Sequence, residues 1–125
     1  MAYMVMYKEK LKHNFDFLQN LFDQHDIEWA VVTKLLCGNE LYLKELLKLD
    51  IKEVCDSRIS NLKTIKKIRP DVQTVYIKPP AKLSIEDIVK YADTSFNSES
   101  RTIKMLSEEA RRQGYLAVES MIRSV

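Results

Sequence analysis

One lysine stands where this sequence could place reactive chemistry. Lys34 lies within residues 27–39, after an apolar, β-branched run and just before a glycine-containing turn. Such a run is typical of a strand buried on both faces of a parallel sheet, and ligands in α/β folds collect at the carboxyl ends of the strands. A partly desolvated lysine there could lose its proton near neutral pH and attack a carbonyl to form a Schiff base. On spacing alone, a lysine that ends a strand and points into solvent is the commoner case.

The pattern of apolar residues predicts the elements that would position Lys34. Helical spacing starts at Lys8 and ends near His25, and the first strand then begins at Ile27. Further strands are predicted at residues 51–55, 74–78 and 93–96. Apolar stripes of further helices follow each strand, on Leu43, Leu46 and Leu47, on Ile59, Leu62, Ile65 and Ile68, on Ile88, Val89 and Tyr91, and on Ile103, Leu106 and Ala110. Asn39 is the predicted N-cap of the second helix, and Ser84 opens a predicted capping box.

This alternation of strands and helices predicts one α/β domain over residues 1–125. Right-handed βαβ units with short connections build a parallel sheet, and four of them make roughly half of a (β/α)8 TIM-type barrel. An open, doubly wound sheet is the competing architecture. The chain has only two glycines and no glycine-rich phosphate motif, which argues against a nucleotide-binding protein.

Composition indicates an ordinary globular protein. The chain is 46% hydrophobic and 30% charged, and its net charge of +2 is too small to indicate binding to nucleic acid or to a membrane. Cys37 and Cys55 form no CxxC pair and have no histidine cluster nearby, so we expect reduced thiols, no metal site and a cytoplasmic protein. The apolar first seven residues are too short for a signal sequence or a membrane span.

Polar side chains also follow the other predicted strands, namely Asp56, Ser57, Arg58, Lys78, Asn97 and Ser98. Each could contact a substrate or cofactor at the edge of the sheet. Each could equally have a structural role, such as capping the next helix. None of them is therefore predicted as a site residue.

Several segments together resemble the amino-terminal part of the alanine/ornithine racemase family. They are residues 11–15, 31–39, 54–62, 74–80 and 95–99, in family order, and the similarity runs from about Lys8 to Gln113. The resemblance implies a fold-type III barrel, like the alanine racemase N-terminal domain, that binds pyridoxal 5′-phosphate (PLP). By the match of the Val-Thr-Lys segment, Lys34 would form the Schiff base with PLP and exchange the α-proton of an amino-acid substrate.

The resemblance also has limits. In the family, a tyrosine from a carboxyl-terminal β domain supplies the second acid/base group across a dimer interface, and no tyrosine of this chain matches it. Residues 115–125 do not match the expected apolar fifth strand.

Three functions remain open. The first is a racemase fragment that bears the Schiff-base lysine and is inactive or weakly active alone. The others are a PLP-binding or homeostasis module and a non-catalytic truncated remnant. Because half a barrel leaves open sheet edges, we expect a homo-oligomer if the chain folds. In the family the phosphate-binding loops belong to the other half of the barrel, so we expect weak PLP affinity.

Overall fold

The computed structural model describes residues 1, 3–115 and 119–122. It contains helices and strands in regular alternation. The helices are α1 (Lys8–Asp23), α2 (Glu40–Leu46), α3 (Ile59–Ile68), α4 (Ile85–Tyr91) and α5 (Ser100–Arg112). The strands are β1 (Val31–Val32), β2 (Glu53–Asp56), β3 (Gln73–Tyr76), β4 (Thr94–Asn97) and β5 (Glu119–Ile122).

The strands form one parallel sheet whose spatial order is the same as their order in the chain. Each βαβ connection therefore moves one position in the same direction, as in a (β/α)8 barrel. A doubly wound sheet would need a reversal of this order, which the described strands do not contain. The predicted fold class, parallel βαβ units of a partial TIM-type barrel, is confirmed.

All five helices pack against one face of this sheet. A single apolar core contains buried residues from every helix, including Phe15 of α1 and Leu106 of α5, together with Val54 and Tyr76 from the sheet. Side chains alternate along a strand, so the neighbours of these residues point to the opposite face. On that face Val32 of β1 is 56% exposed.

The first strand is shorter and less buried than the sequence indicated. Residues 27–30 do not pair with β2; instead Trp29 packs on α1, with ring-centre distances of 5.4 Å to Phe15 and 5.2 Å to Phe22. The Trp29 indole also donates to the Gln19 side chain at 3.1 Å. Among the described residues β1 pairs with β2 alone, so it is an edge strand, and the prediction of burial on both faces was wrong.

A fifth strand forms where the pattern of apolar residues did not predict one. Glu119–Ile122 pairs with β4 in parallel, from Thr94↔Glu119 to Asn97↔Ile122. Sheet pairing uses main-chain groups, so a short segment can join without an apolar run. The remainder of 116–125 lies outside the described residues. In the part of the chain that is described, no helix is both long and apolar enough to cross a bilayer.

Candidate active site

Lys34 lies directly after β1, at the carboxyl edge of the sheet. The strand ends where the Thr33 amide donates to the Cys55 carbonyl at 3.0 Å, and Lys34–Leu36 then forms one 3-10 turn. Asn39 caps α2 as predicted, because its side-chain oxygen accepts from the amides of Leu41 and Tyr42. We call residues 33–38 the Lys34 turn. It lies between the end of β1 and the capped start of α2.

The Lys34 side chain is exposed. Its ammonium makes no hydrogen bond or ion pair with any residue that the structure describes. The desolvation that we expected for this lysine is not provided by the chain alone. The ammonium is nevertheless free of a competing partner, which leaves it accessible to a ligand.

A fully buried carboxylate, that of Asp56, organises the surroundings of this turn. Its Oδ2 accepts from the Thr33 hydroxyl at 2.8 Å, and its Oδ1 accepts from the Arg58 amide at 3.0 Å. The Asn61 side-chain amide lies 3.1 Å from both oxygens. Sequence patterns predict neither Asp56 nor Asn61 as a site residue, since Asp56 reaches the Lys34 turn through its bond to Thr33 and Asn61 through its packing against Gly38.

The far end of the turn touches the same network. Gly38 has a φ of +73°, a conformation that L side chains rarely adopt. A Cβ placed on Gly38 would lie 2.5 Å from the side-chain oxygen of Asn61. The backbone of Gly38 therefore packs closely on Asn61, and this position requires glycine for both reasons.

Cations are frequent in the connections at this edge of the sheet. The four connections that follow β1, β2, β3 and β4 contain the cations Lys34, Arg58, Lys78 and Lys82 and the acid Glu99. All four cations are exposed, and no ion pair joins them to the described acids. Most lysines on the helices, by contrast, form ion pairs with acids. Lys44 and Lys67, for example, both pair with Glu40. This edge can therefore attract an anionic ligand.

The Asn97 side chain makes its hydrogen bonds within β4 and not at the open edge of the sheet. Its side chain is buried, and the amide nitrogen donates to the carbonyl and hydroxyl oxygens of Ser95 at 3.0 and 2.9 Å. The side-chain oxygen has no hydrogen-bond partner in the described structure. The sequence left two roles open for Asn97, contact with a ligand and a structural role, and these bonds support the structural role.

A cavity of about 650 Å³ lies away from Lys34. It is bounded by α1 and by the amino ends of the strands, with Phe15, Trp29 and Ile51 among its lining residues. Chemistry in parallel α/β folds collects at the opposite edge of the sheet. The candidate site is therefore the open carboxyl edge around Lys34 and not this cavity.

The two cysteines should differ sharply in reactivity. Cys37 is exposed on the Lys34 turn, whereas burial, with help from the nearby charges of Glu53 and Asp56, raises the pKa of Cys55 to about 11. Because the thiolate is the reactive form, N-ethylmaleimide at neutral pH should label Cys37 alone in the folded protein and both cysteines after denaturation. Mass spectrometry of wild type and Cys37→Ser checks this. Equal labelling of both thiols in the folded protein would contradict the burial of β2.

Comparison with known proteins agrees with the resemblance. The chain is 37% identical over 102 residues to ornithine racemase of Acetoanaerobium sticklandii, a match that covers 82% of this chain. This chain is related to the ornithine/alanine racemase family. The matched region is 28% of the length of that ornithine racemase, so the family relationship concerns a minor part of the relative. No protein-family profile and no solved structure matches the chain.

Proposed function

We propose that this chain carries the lysine-bearing part of a PLP-dependent amino-acid racemase, with Lys34 as the residue that binds PLP covalently. The observation that supports it most is the position of Lys34, which is exposed and has no ion pair among the described residues, at the carboxyl edge of a partial barrel that is related to ornithine racemase. In this proposal the chain alone is inactive or weakly active.

The residues at this edge suit the chemistry of PLP. PLP has an aldehyde, which an accessible amine can attack, and a phosphate, which cations attract. Lys34 supplies the amine, and Arg58, Lys78 and Lys82 are the exposed cations of the neighbouring connections. When bound, PLP supplies an electron sink for the α-carbon of an amino acid.

Lys34 would then have two tasks of its own. It holds the cofactor, and its freed amine takes or returns a proton on one face of the substrate. Racemisation needs a second acid/base group on the other face. Tyr76 does not fit that role, because its ring packs in the core and burial raises the pKa of its hydroxyl. We therefore assign Lys34 alone.

A PLP-binding module without racemase activity is the second candidate function. It is favoured by the burial of Tyr76, which lies at the end of β3 on the helix side of the sheet and so supplies no second acid/base group at the edge. Under either candidate we propose a reduced, cytoplasmic setting, which the two unpaired cysteines support. Racemisation of alanine or ornithine by the chain would exclude this second candidate.

Trapping the cofactor tests the proposal directly. After incubation with PLP and reduction with borohydride, peptide mapping should find Lys34 as the main modified residue, ahead of Lys78 and Lys82, because Lys34 directly follows β1 in the Val-Thr-Lys segment that resembles the family. Lys34→Arg, which keeps the charge but removes the reactive amine, should abolish this adduct. Lys104→Arg, a matched change of an exposed lysine on α5, should leave it unchanged.

Two further measurements test whether the phosphate of PLP contributes to the reaction at Lys34. PLP should modify Lys34 faster than pyridoxal does, and added salt should reduce that advantage, since only PLP carries the phosphate. Modification spread evenly over the exposed lysines, unchanged in Lys34→Arg, would refute the proposed function.

A further inference from the structure

Asp56 accepts more hydrogen bonds than the start of a helix requires. Its carboxylate is fully buried, yet the described structure pairs it with uncharged donors only, a hydroxyl, a backbone amide and a side-chain amide. A buried carboxylate is unfavourable unless such bonds satisfy it. The Arg58 amide bond alone would serve the start of α3, so the bonds to Thr33 and Asn61 need another explanation.

Those two bonds lead to the two ends of the Lys34 turn. Thr33, itself almost fully buried, immediately precedes Lys34 and donates its hydroxyl to Asp56 at 2.8 Å. Asn61 donates to Asp56 at 3.1 Å and turns its oxygen towards Gly38, the residue at the far end of the turn. One carboxylate on β2 thus bonds directly to the residue before the lysine and, at the far end of the segment, holds the Asn61 side chain that packs against Gly38.

We propose that Asp56 is a positioning residue for Lys34, acting through Thr33 and Asn61. The bonds fix the backbone of residues 33–38 and so determine where the amine is presented at the edge of the sheet. This inference rests on the proposed function, since it is the amine of Lys34 that must be presented to a carbonyl ligand.

Site-selective trapping tests the inference. The rate of PLP modification at Lys34, divided by the rate at the remote Lys104 in the same digest, should fall about two- to tenfold in Thr33→Val and in Asp56→Asn, the range for losing one hydrogen bond. Thr33→Ser, which keeps the hydroxyl, should restore the wild-type ratio.

A matched control separates positioning from general loss of stability. Asp93 is an exposed carboxylate that joins segments at the amino ends of the strands, where it accepts from the Thr74 amide at 2.8 Å and pairs with Lys66 at 2.7 Å. Asp93→Asn should lower stability and leave the Lys34 ratio unchanged. Hydrogen–deuterium exchange without PLP gives an independent readout, because exchange of residues 34–39 should quicken in Thr33→Val and not in Asp93→Asn.

The outcomes are distinguishable. If wild type shows no preference for Lys34, the proposed function fails and the inference fails with it. If wild type prefers Lys34 while Thr33→Val keeps both the ratio and the slow exchange of the turn, the inference is overturned and the proposed function stands. Should Asp56→Asn not fold, the Thr33→Val and Thr33→Ser pair decides the question.

Discussion

Gly38→Ala should destabilise the protein by roughly 2–5 kcal/mol, with the Lys34 turn as the origin of the loss. Part of this comes from the φ of +73°, which an alanine adopts only with strain. The rest comes from the methyl group, which would lie 2.5 Å from the Asn61 oxygen and would have to displace it. Urea unfolding monitored by circular dichroism measures the total.

Gly114 offers a matched control for this substitution. It has a similar φ of +86°, but a Cβ there would meet nothing within 4 Å. Gly114→Ala should therefore show the conformational strain alone, about 1 kcal/mol. The difference between the two variants isolates the contact with Asn61. Equal losses in both would mean that the packing of Gly38 on Asn61 contributes nothing to stability.

Replacing Leu21 by lysine should weaken self-association about tenfold or more, because it places a charge in an apolar contact. The surface concerned consists of Phe17, Leu18 and Leu21 on α1, which are 62, 37 and 38% exposed. The same helix packs on Trp29, which precedes β1, and the outer edge of β1 is unpaired among the described strands. We propose that a second copy of the chain covers this surface, since a two-fold contact between like apolar faces needs no other partner.

Sedimentation velocity over a range of protein concentrations tests this proposal. Wild type should shift from monomer to dimer, and Leu21→Lys should remain monomeric at concentrations where wild type has shifted. Asn20→Lys, which adds the same charge to α1 outside the apolar surface, serves as the control. A wild type that is monomeric at every concentration would exclude self-association through α1.

Much of the fold was predictable because it depends on local patterns. Apolar spacing places every helix, and the position of Lys34 after the first strand follows from one short run of β-branched residues. Asn39 as an N-cap was predictable for the same reason, since its bonds reach only two and three residues along the chain.

Features that depend on long-range contacts were not predictable. The Asp56 network joins residues from three segments, and only the register Val32↔Cys55 brings Thr33 within reach of Asp56. β1 is short because Trp29, which precedes it, packs on α1 while only Val31 and Val32 pair with β2. The capping box predicted at Ser84 does not form. A 3-10 turn precedes α4, and Ser84 makes no side-chain cap hydrogen bond.

The connection between β3 and α4 has a consequence for how this protein could change. Residues 77–84 lie at the same edge as Lys34, and Leu83 within them is wholly exposed. If this edge binds the ligand proposed above, substitutions there would contact it but disturb little of the packed core, which lies beneath the helices. Under the proposed function, exchanging this connection should therefore change ligand preference with little effect on the stability of the core.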